Sequence, residues 1–311
     1  QDPDVILVGE IRDAETAQNM RMAGRLLQQI VLPHQAPDWP ELSFGVHFTP
    51  LDSSMESINA LPSLEYTQPA FGGSVGIARR DVTPPVGIYA RNFAYLKNGT
   101  ITTGTHGTLS ATAVVFLAGE ASDPLILVSV DASWFKDPKD EKELIRGPIL
   151  SALKLKESNL ILAYTHTHSG PSLSSSESGC PGGEHIVPYM KYVSQQIIEA
   201  IREATARCEP ATLTWATGRC DLAVNRDQTD PDTTQQRFIV GFDPAAFADD
   251  TLLVGRITRN DNHDIIGTVL NYACHPISFG WQNRQVSPDF VGPARELVEA
   301  HTGGKPCLFI Q

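Results

Sequence analysis

The sequence predicts an α/β fold in which a mixed β-sheet carries flanking helices. Three observations predict it. Short apolar runs of strand length recur along the C-terminal three quarters of the chain. Between them lie stretches with apolar residues at three- and four-residue spacing, and alternation of the two kinds of segment is the pattern of α/β architecture. The composition agrees, since 311 residues with 41% hydrophobic and 19% charged side chains are enough to bury a substantial core and differ from a disordered or fibrous chain.

Taken in chain order, Val5 to Val8 reads as a strand, followed by Gly9-Glu10 and a helix-forming run from Asp13 to about Leu27. Residues 1–18 resemble the Walker B neighbourhood of the type II secretion and type IV pilus ATPases, in which an apolar strand ends in Gly-Glu. An ATPase also needs the phosphate-cradling loop G-x-x-x-x-G-K-[ST], and the chain contains no such motif. Residues 1–28 are therefore expected to be an ATPase-like fragment without nucleotide chemistry. Residues 29–72 contain Pro33, Pro37, Pro40, Pro50, Pro62 and Pro69 without a sustained apolar period, which predicts a linker or extension. The main domain is expected over 73–311. Its predicted strands are Ala111 to Leu117, Leu125 to Val130, Asn159 to Tyr164, Thr212 to Trp215, Gly267 to Asn271 and Cys307 to Ile310. Its predicted helices lie near Lys142 to Leu155, Val187 to Cys208 and Gly292 to His301.

Charge narrows the function. With 24 Lys and Arg against 36 Asp and Glu, the net charge of −12 repels phosphate backbones and argues against nucleic-acid binding. The apolar runs, such as Leu125 to Val130, fall far short of the roughly 18 residues that span a bilayer, so no transmembrane segment is expected. The opening Gln1-Asp2-Pro3-Asp4 lacks the basic start and apolar stretch of a signal peptide and reads as an internal stretch of a longer gene. Five scattered cysteines form no C-x-x-C pair, so buried free thiols are expected, with Cys208 and Cys220 as the one pair placed to join in an oxidising compartment. One glycosylation sequon, Asn98-Gly99-Thr100, matters only for a eukaryotic secreted protein.

The sharpest chemical signal is Asn159 to Pro171, an apolar strand running into His166-Thr167-His168 and then Gly170-Pro171. Histidines at i and i+2 project to one face of an extended chain at the strand's C-terminal end, where α/β sites tend to sit. Imidazoles so placed suit a metal, zinc in particular, or a catalytic role. A second strand ends in Cys274-His275-Pro276 and offers a third nitrogen, while Cys274 points the other way, into the core. His106 sits in the Gly-rich turn Gly104-Thr105-His106-Gly107 and either approaches the same site or stays solvated. Asp131, at another strand end, reads equally as an acceptor that fixes an imidazole tautomer or as a sheet-end carboxylate capping a loop.

Several elements occur in the order and spacing of one family: Val75 to Pro85, Leu127 to Asp131, Thr165 to Pro171, Asn225-Arg226, Asn271 to Pro276 and Ser287-Pro288-Asp289. From about residue 73 to 311 the chain resembles the N-terminal catalytic domain of the neutral (non-lysosomal) ceramidases. The resemblance implies a zinc-dependent amide hydrolase that cleaves N-acylsphingosine to a fatty acid and sphingosine. It implies His166 and His275 as zinc ligands, His168 and Arg226 as catalytic groups at the substrate amide, and His106 and Asn225 as substrate-binding residues. Two further ligands, a glutamate and a tyrosine, are expected beyond residue 311, so the site and the ceramidase-type domain are expected to be incomplete at the C-terminus. The implied partner is a ceramide-like lipid, with membrane contact made peripherally through the substrate. The implied location is secreted or periplasmic.

Overall fold

In the computed structural model, the described residues are 71–90, 100–119, 123–232, 234, 237–280 and 283–311. The ATPase-like fragment, the linker up to residue 70 and Asn98 of the sequon lie outside them. An eight-stranded mixed sheet organises the rest, built from β1 (Phe71–Asp81), β2 (Ser110–Leu117), β3 (Leu125–Val130), β4 (Leu160–Tyr164), β5 (Glu209–Arg219), β6 (Thr251–Arg259), β7 (Ile265–Tyr272) and β8 (Cys307–Ile310). Their order across the sheet is β8-β7-β6-β5-β1-β2-β3-β4. The α/β class with a mixed sheet is therefore the observed one.

Five neighbouring pairs are antiparallel, and only the outermost pairs, β3–β4 and β7–β8, are parallel. Parallel neighbours need a crossover. From β3 to β4 it is a helical segment comprising Pro138–Asp140, a π-helical Glu141–Arg146 and α1 (Gly147–Leu153). The Asp137 carboxylate accepts from the Lys139 amide at its start, and Lys154 closes its end in the left-handed region at φ 53°. Between β7 and β8 the crossover is α3 (Val291–His301).

The longest helix, α2 (Ile186–Ala206), buries Ile186, Tyr189, Met190, Val193, Ile197, Ile201 and Ala204, the three- and four-residue spacing that the sequence shows. This stripe lies over β1 and β2, forming one core with Ala78, Ala111, Ala113 and Val128. The approach is close enough that Gly76 in β1 has room for no side chain against the carbonyl of Ala204. On the opposite face, Val75, Ile77, Val114, Leu213, Ile257, Val269 and Leu308 form a second core from strands far apart in the order. They meet because the sheet coils on itself: Ser129 Oγ in β3 donates to the Phe309 carbonyl in β8 at 2.5 Å, although six places separate these strands. A third core packs α3, through Val291, Ala294 and Val298, on Leu252, Leu270, Tyr272 and Phe309.

Two strands of the eight-stranded sheet are absent from the sequence reading. β1 begins at Phe71, two residues before Gly73, and its Gly- and Arg-containing text, FGGSVGIARRD, hides its alternation. β6 carries Gly255 and Arg256 mid-strand. All five cysteines are free; Cys220 lies in the α3 core, whereas Cys208 packs beside the α2 core.

Asp131 follows β3 at 0% exposure and takes a two-pronged ion pair from Arg295 of α3, Nη1 to Oδ1 at 2.9 Å and Nη2 to Oδ2 at 2.6 Å. Its Oδ2 also accepts from the amide and hydroxyl of Ser110, and Oδ1 from Thr165 Oγ1 at 3.3 Å. Of the two readings of this residue, the structure supports the capping carboxylate: no imidazole is among these partners. Removing one member of a buried pair leaves an uncompensated charge, which costs about 3–5 kcal/mol. We therefore expect Arg295→Met to lower stability by that order in urea unfolding, and Asp131→Asn added to it to recover part of the loss. Additive losses in the double variant would contradict this account.

Candidate metal centre

The first histidine pair is set by the end of β4. The Thr165 amide donates to the Val130 carbonyl and extends the parallel pairing by one residue. The chain then kinks at His166, whose φ of 61° lies in the left-handed region that non-glycine residues seldom occupy. Such a conformation costs of order 1–3 kcal/mol and persists where the surroundings fix it. Here Thr167 fixes it: fully buried, it donates through Oγ1 to the Ser287 carbonyl at 2.8 Å and accepts at its own carbonyl from Ser133 Oγ at 2.6 Å. His166 and His168 thus face one another with ring centroids 5.3 Å apart because of the kink, not because an extended strand alternates.

The third imidazole comes from the end of β7. Beyond it, the buried Asp289 carboxylate accepts from the Ser278 amide and hydroxyl, the Phe279 amide and the Phe290 amide, tying the loop after His275 to the start of α3. The His168 amide donates to the Pro276 carbonyl at 3.2 Å and fastens the two histidine loops together. Ring centroids of His275 lie 4.6 Å from His168 and 5.0 Å from His166, and Nε2 of His275 is 2.6 Å from Nε2 of His168. One ligand nitrogen from each of the three lies within 4.8 Å of the others. Trp134, just past β3, walls one side, its ring 5.2 Å from His166 and 5.0 Å from His168.

The electrostatics keep two of the imidazoles unprotonated. Burial, then His168, Arg226 and His166, push the His275 imidazole down to about 3, and burial with Arg226 lowers His166. Both are neutral at pH 7, the form in which imidazole binds a metal. Three imidazole nitrogens with no thiolate or carboxylate in the group fit a borderline ion such as zinc and do not suit magnesium or calcium.

The structure brings His166, His168, His275 and Arg226 together, with Arg226 Nη2 against Nδ1 of His275. Asn225 sits beside them but turns inward on its own loop, Nδ2 donating to the Phe247 carbonyl and Oδ1 accepting from the Asp227 amide. His106 is exposed; its ring lies 5.1 Å from Phe279 and its amide donates to the Val286 carbonyl. Cys274 is buried in the α3 core, where burial pushes its thiol up to about 12, as its alternation with His275 suggests. Trp134, three residues past the Leu127 to Asp131 motif, escaped the sequence reading, and Asp289 was read only as part of Ser287-Pro288-Asp289, without its hold on the loop after His275.

Residues 74–307 match the family described as neutral/alkaline non-lysosomal ceramidase, N-terminal. The chain belongs to that family. It is 26% identical over 242 residues to neutral ceramidase A of Dictyostelium discoideum, which covers 75% of this chain and 33% of the relative. Among solved structures it resembles the neutral ceramidase of Pseudomonas aeruginosa, with a TM-score of 0.57, 23% identity, and 78% of this chain against 38% of that one. A ceramidase complexed with C2 gives 0.57 at 21% identity, covering 78% of this chain and 37% of that one. The chain therefore spans about a third of the length of its curated relative. The family match covers none of the ATPase-like residues 1–28.

The lowered pKa of His275 has a sign. An unfolded histidine takes up its proton near pH 6.5, whereas the folded one resists until about pH 3, so its contribution to stability is intact above 6.5 and lost as pH falls toward 3. We expect the melting temperature to fall across that window, and to fall less steeply in His275→Gln; parallel pH profiles for the two proteins would refute the assignment.

Proposed function

We propose that this chain supplies the histidine side of a zinc-dependent amide hydrolase site that cleaves N-acylsphingosine to a fatty acid and sphingosine. One observation carries the reading: three imidazoles from the ends of β4 and β7 converge beside a guanidinium, in a chain of the ceramidase family. His166 and His275 would hold the ion. Bound there, zinc supplies Lewis acidity toward an amide carbonyl and lowers the pKa of water toward about 7.

The remaining groups prepare the surroundings. His168, held by its backbone bond to Pro276, offers an N–H to the substrate amide or to the oxyanion that develops on it. Arg226 adds a positive charge for the same oxyanion. Asn225 keeps that loop folded through Phe247 and Asp227, so its contribution to substrate binding runs through the position of Arg226. Trp134 shields one side from water, which strengthens every charge interaction inside. His106, exposed near Phe279, is suited to meet substrate at the rim.

Among the described residues no helix is long and apolar enough to cross a membrane, so the lipid would be met at a surface. A secreted or periplasmic location accompanies the family resemblance. The test is metal content by elemental analysis after zinc loading and desalting. We expect zinc in the wild type and its loss in both His166→Ala and His275→Ala while each remains folded. Equal and negligible zinc in all three proteins would refute the metal reading.

A further inference from the structure

The contact between Arg226 and His275 conflicts with metal binding at His275. A guanidinium can only donate hydrogen bonds, so Nη2 of Arg226 against Nδ1 of His275 demands that Nδ1 be the acceptor. Nε2 then carries the ring's single proton and donates it to Nε2 of His168 at 2.6 Å. That tautomer offers no free nitrogen to a metal. If the ion is taken through Nε2, the proton must move to Nδ1, where N–H would face N–H and two cations would lie across one imidazole. If the ion is taken through Nδ1, Nη2 of Arg226 already occupies the place of the ion. Either route requires the guanidinium to withdraw.

We propose that Arg226 is a gate on the metal site: it occupies His275 in the metal-free protein, and metal loading displaces it. The inference rests on the metal reading above. The fold gives the side chain a place to go. Arg226 lies on the stretch between β5 and β6, held to the Asp227–Thr229 and Phe238–Val240 hairpin by the Gly241 amide donating to its carbonyl at 2.7 Å. Phe238, Phe242 and Phe247 on the same stretch of chain are 72%, 63% and 80% exposed, so among the described residues this stretch is a surface segment and not part of a packed core. Displacement also turns the guanidinium from a partner of His275 into a free donor for an anion, so one movement both opens the ligand and prepares Arg226 for substrate.

The experiment measures zinc affinity by competition with a chromogenic chelator in the full chain. A glutamine at this position can accept from Nδ1–H through its amide oxygen, the arrangement that usually supports a metal-bound histidine and whose loss costs about 10–100-fold in affinity. R226Q should therefore bind zinc about tenfold more tightly than wild type. R226M, which removes the cation without adding an acceptor, should gain less, and R226K, still a donor-only cation, should stay close to wild type. On a His275→Ala background R226Q should change nothing, which a general effect on folding would not reproduce. Unchanged or weaker binding in both R226Q and R226M, while the wild type binds zinc, overturns the gate alone. A gain that survives in His275→Ala overturns it as well. Absence of zinc from every variant overturns the gate together with the metal reading beneath it.

Discussion

The buried pair between Asp131 and Arg295 is the constraint on which the rest of the molecule hangs. It joins the end of β3 to α3, and through Ser110 and Thr165 it also holds the start of β2 and the end of β4. Desolvating two charges is expensive, and here the cost is met by a full set of hydrogen bonds to the carboxylate. Burial works against the Arg295 charge, yet Asp131 raises its pKa above the ordinary arginine value, so the guanidinium stays ionised. Thr165 immediately precedes His166, and α3 begins next to Asp289, which ties down the loop of His275. One ion pair thus fixes, at one remove on each side, the two chain segments that carry the imidazoles.

Bringing those segments together is the work of the sheet's twist. β4 and β7 stand six places apart in the strand order, roughly 29 Å in a flat sheet at about 4.8 Å per strand. Counted along the order, they also run in opposite directions, so a flat sheet would send their C-terminal ends to opposite rims. A twist of about 20–25° per strand accumulates to roughly 120–150° over six intervals, which nearly reverses the direction and lets the sheet coil until Ser129 meets the Phe309 carbonyl. The second core, drawn from β1, β2, β5, β6, β7 and β8, is the apolar filling of that coil. The histidine cluster is a consequence of global curvature more than of any local motif.

That division explains what could be read from the amino-acid text. Local periodicity showed the strands Leu125–Val130 and Cys307–Ile310 at their observed bounds and α2 to within two residues, because a packed face imposes its period on the residues that make it. The same logic missed β1, where glycines and arginines answer to α2 and Glu299 in place of a simple in-out alternation. Histidines at strand ends were legible as ligand chemistry. The kink at His166 was not, since it depends on Thr167 reaching a carbonyl 120 residues away. Nor was the partner of Asp131, 164 residues distant, where a nearby imidazole was an equally good guess on sequence alone.

Charge balance gives the site its direction. Burial and Arg226 hold the His166 and His275 imidazoles below their ordinary pKa, and the cation of Arg226 lies against His275. An ion held by neutral ligands keeps its full charge, which makes it a stronger Lewis acid and raises the cost of leaving it half-buried next to a guanidinium. Such a centre is incomplete without an anion. A glutamate and a tyrosinate, the ligands implied by the family resemblance, would supply one; the oxyanion that forms when an amide is attacked would supply another. The second is the more telling for catalysis, because a site short of negative charge binds the charged transition state in preference to the neutral amide, and only that preference accelerates the chemical step. The positive field that Arg226 sets beside the imidazoles, in a protein whose net charge is −12, would favour such an anion.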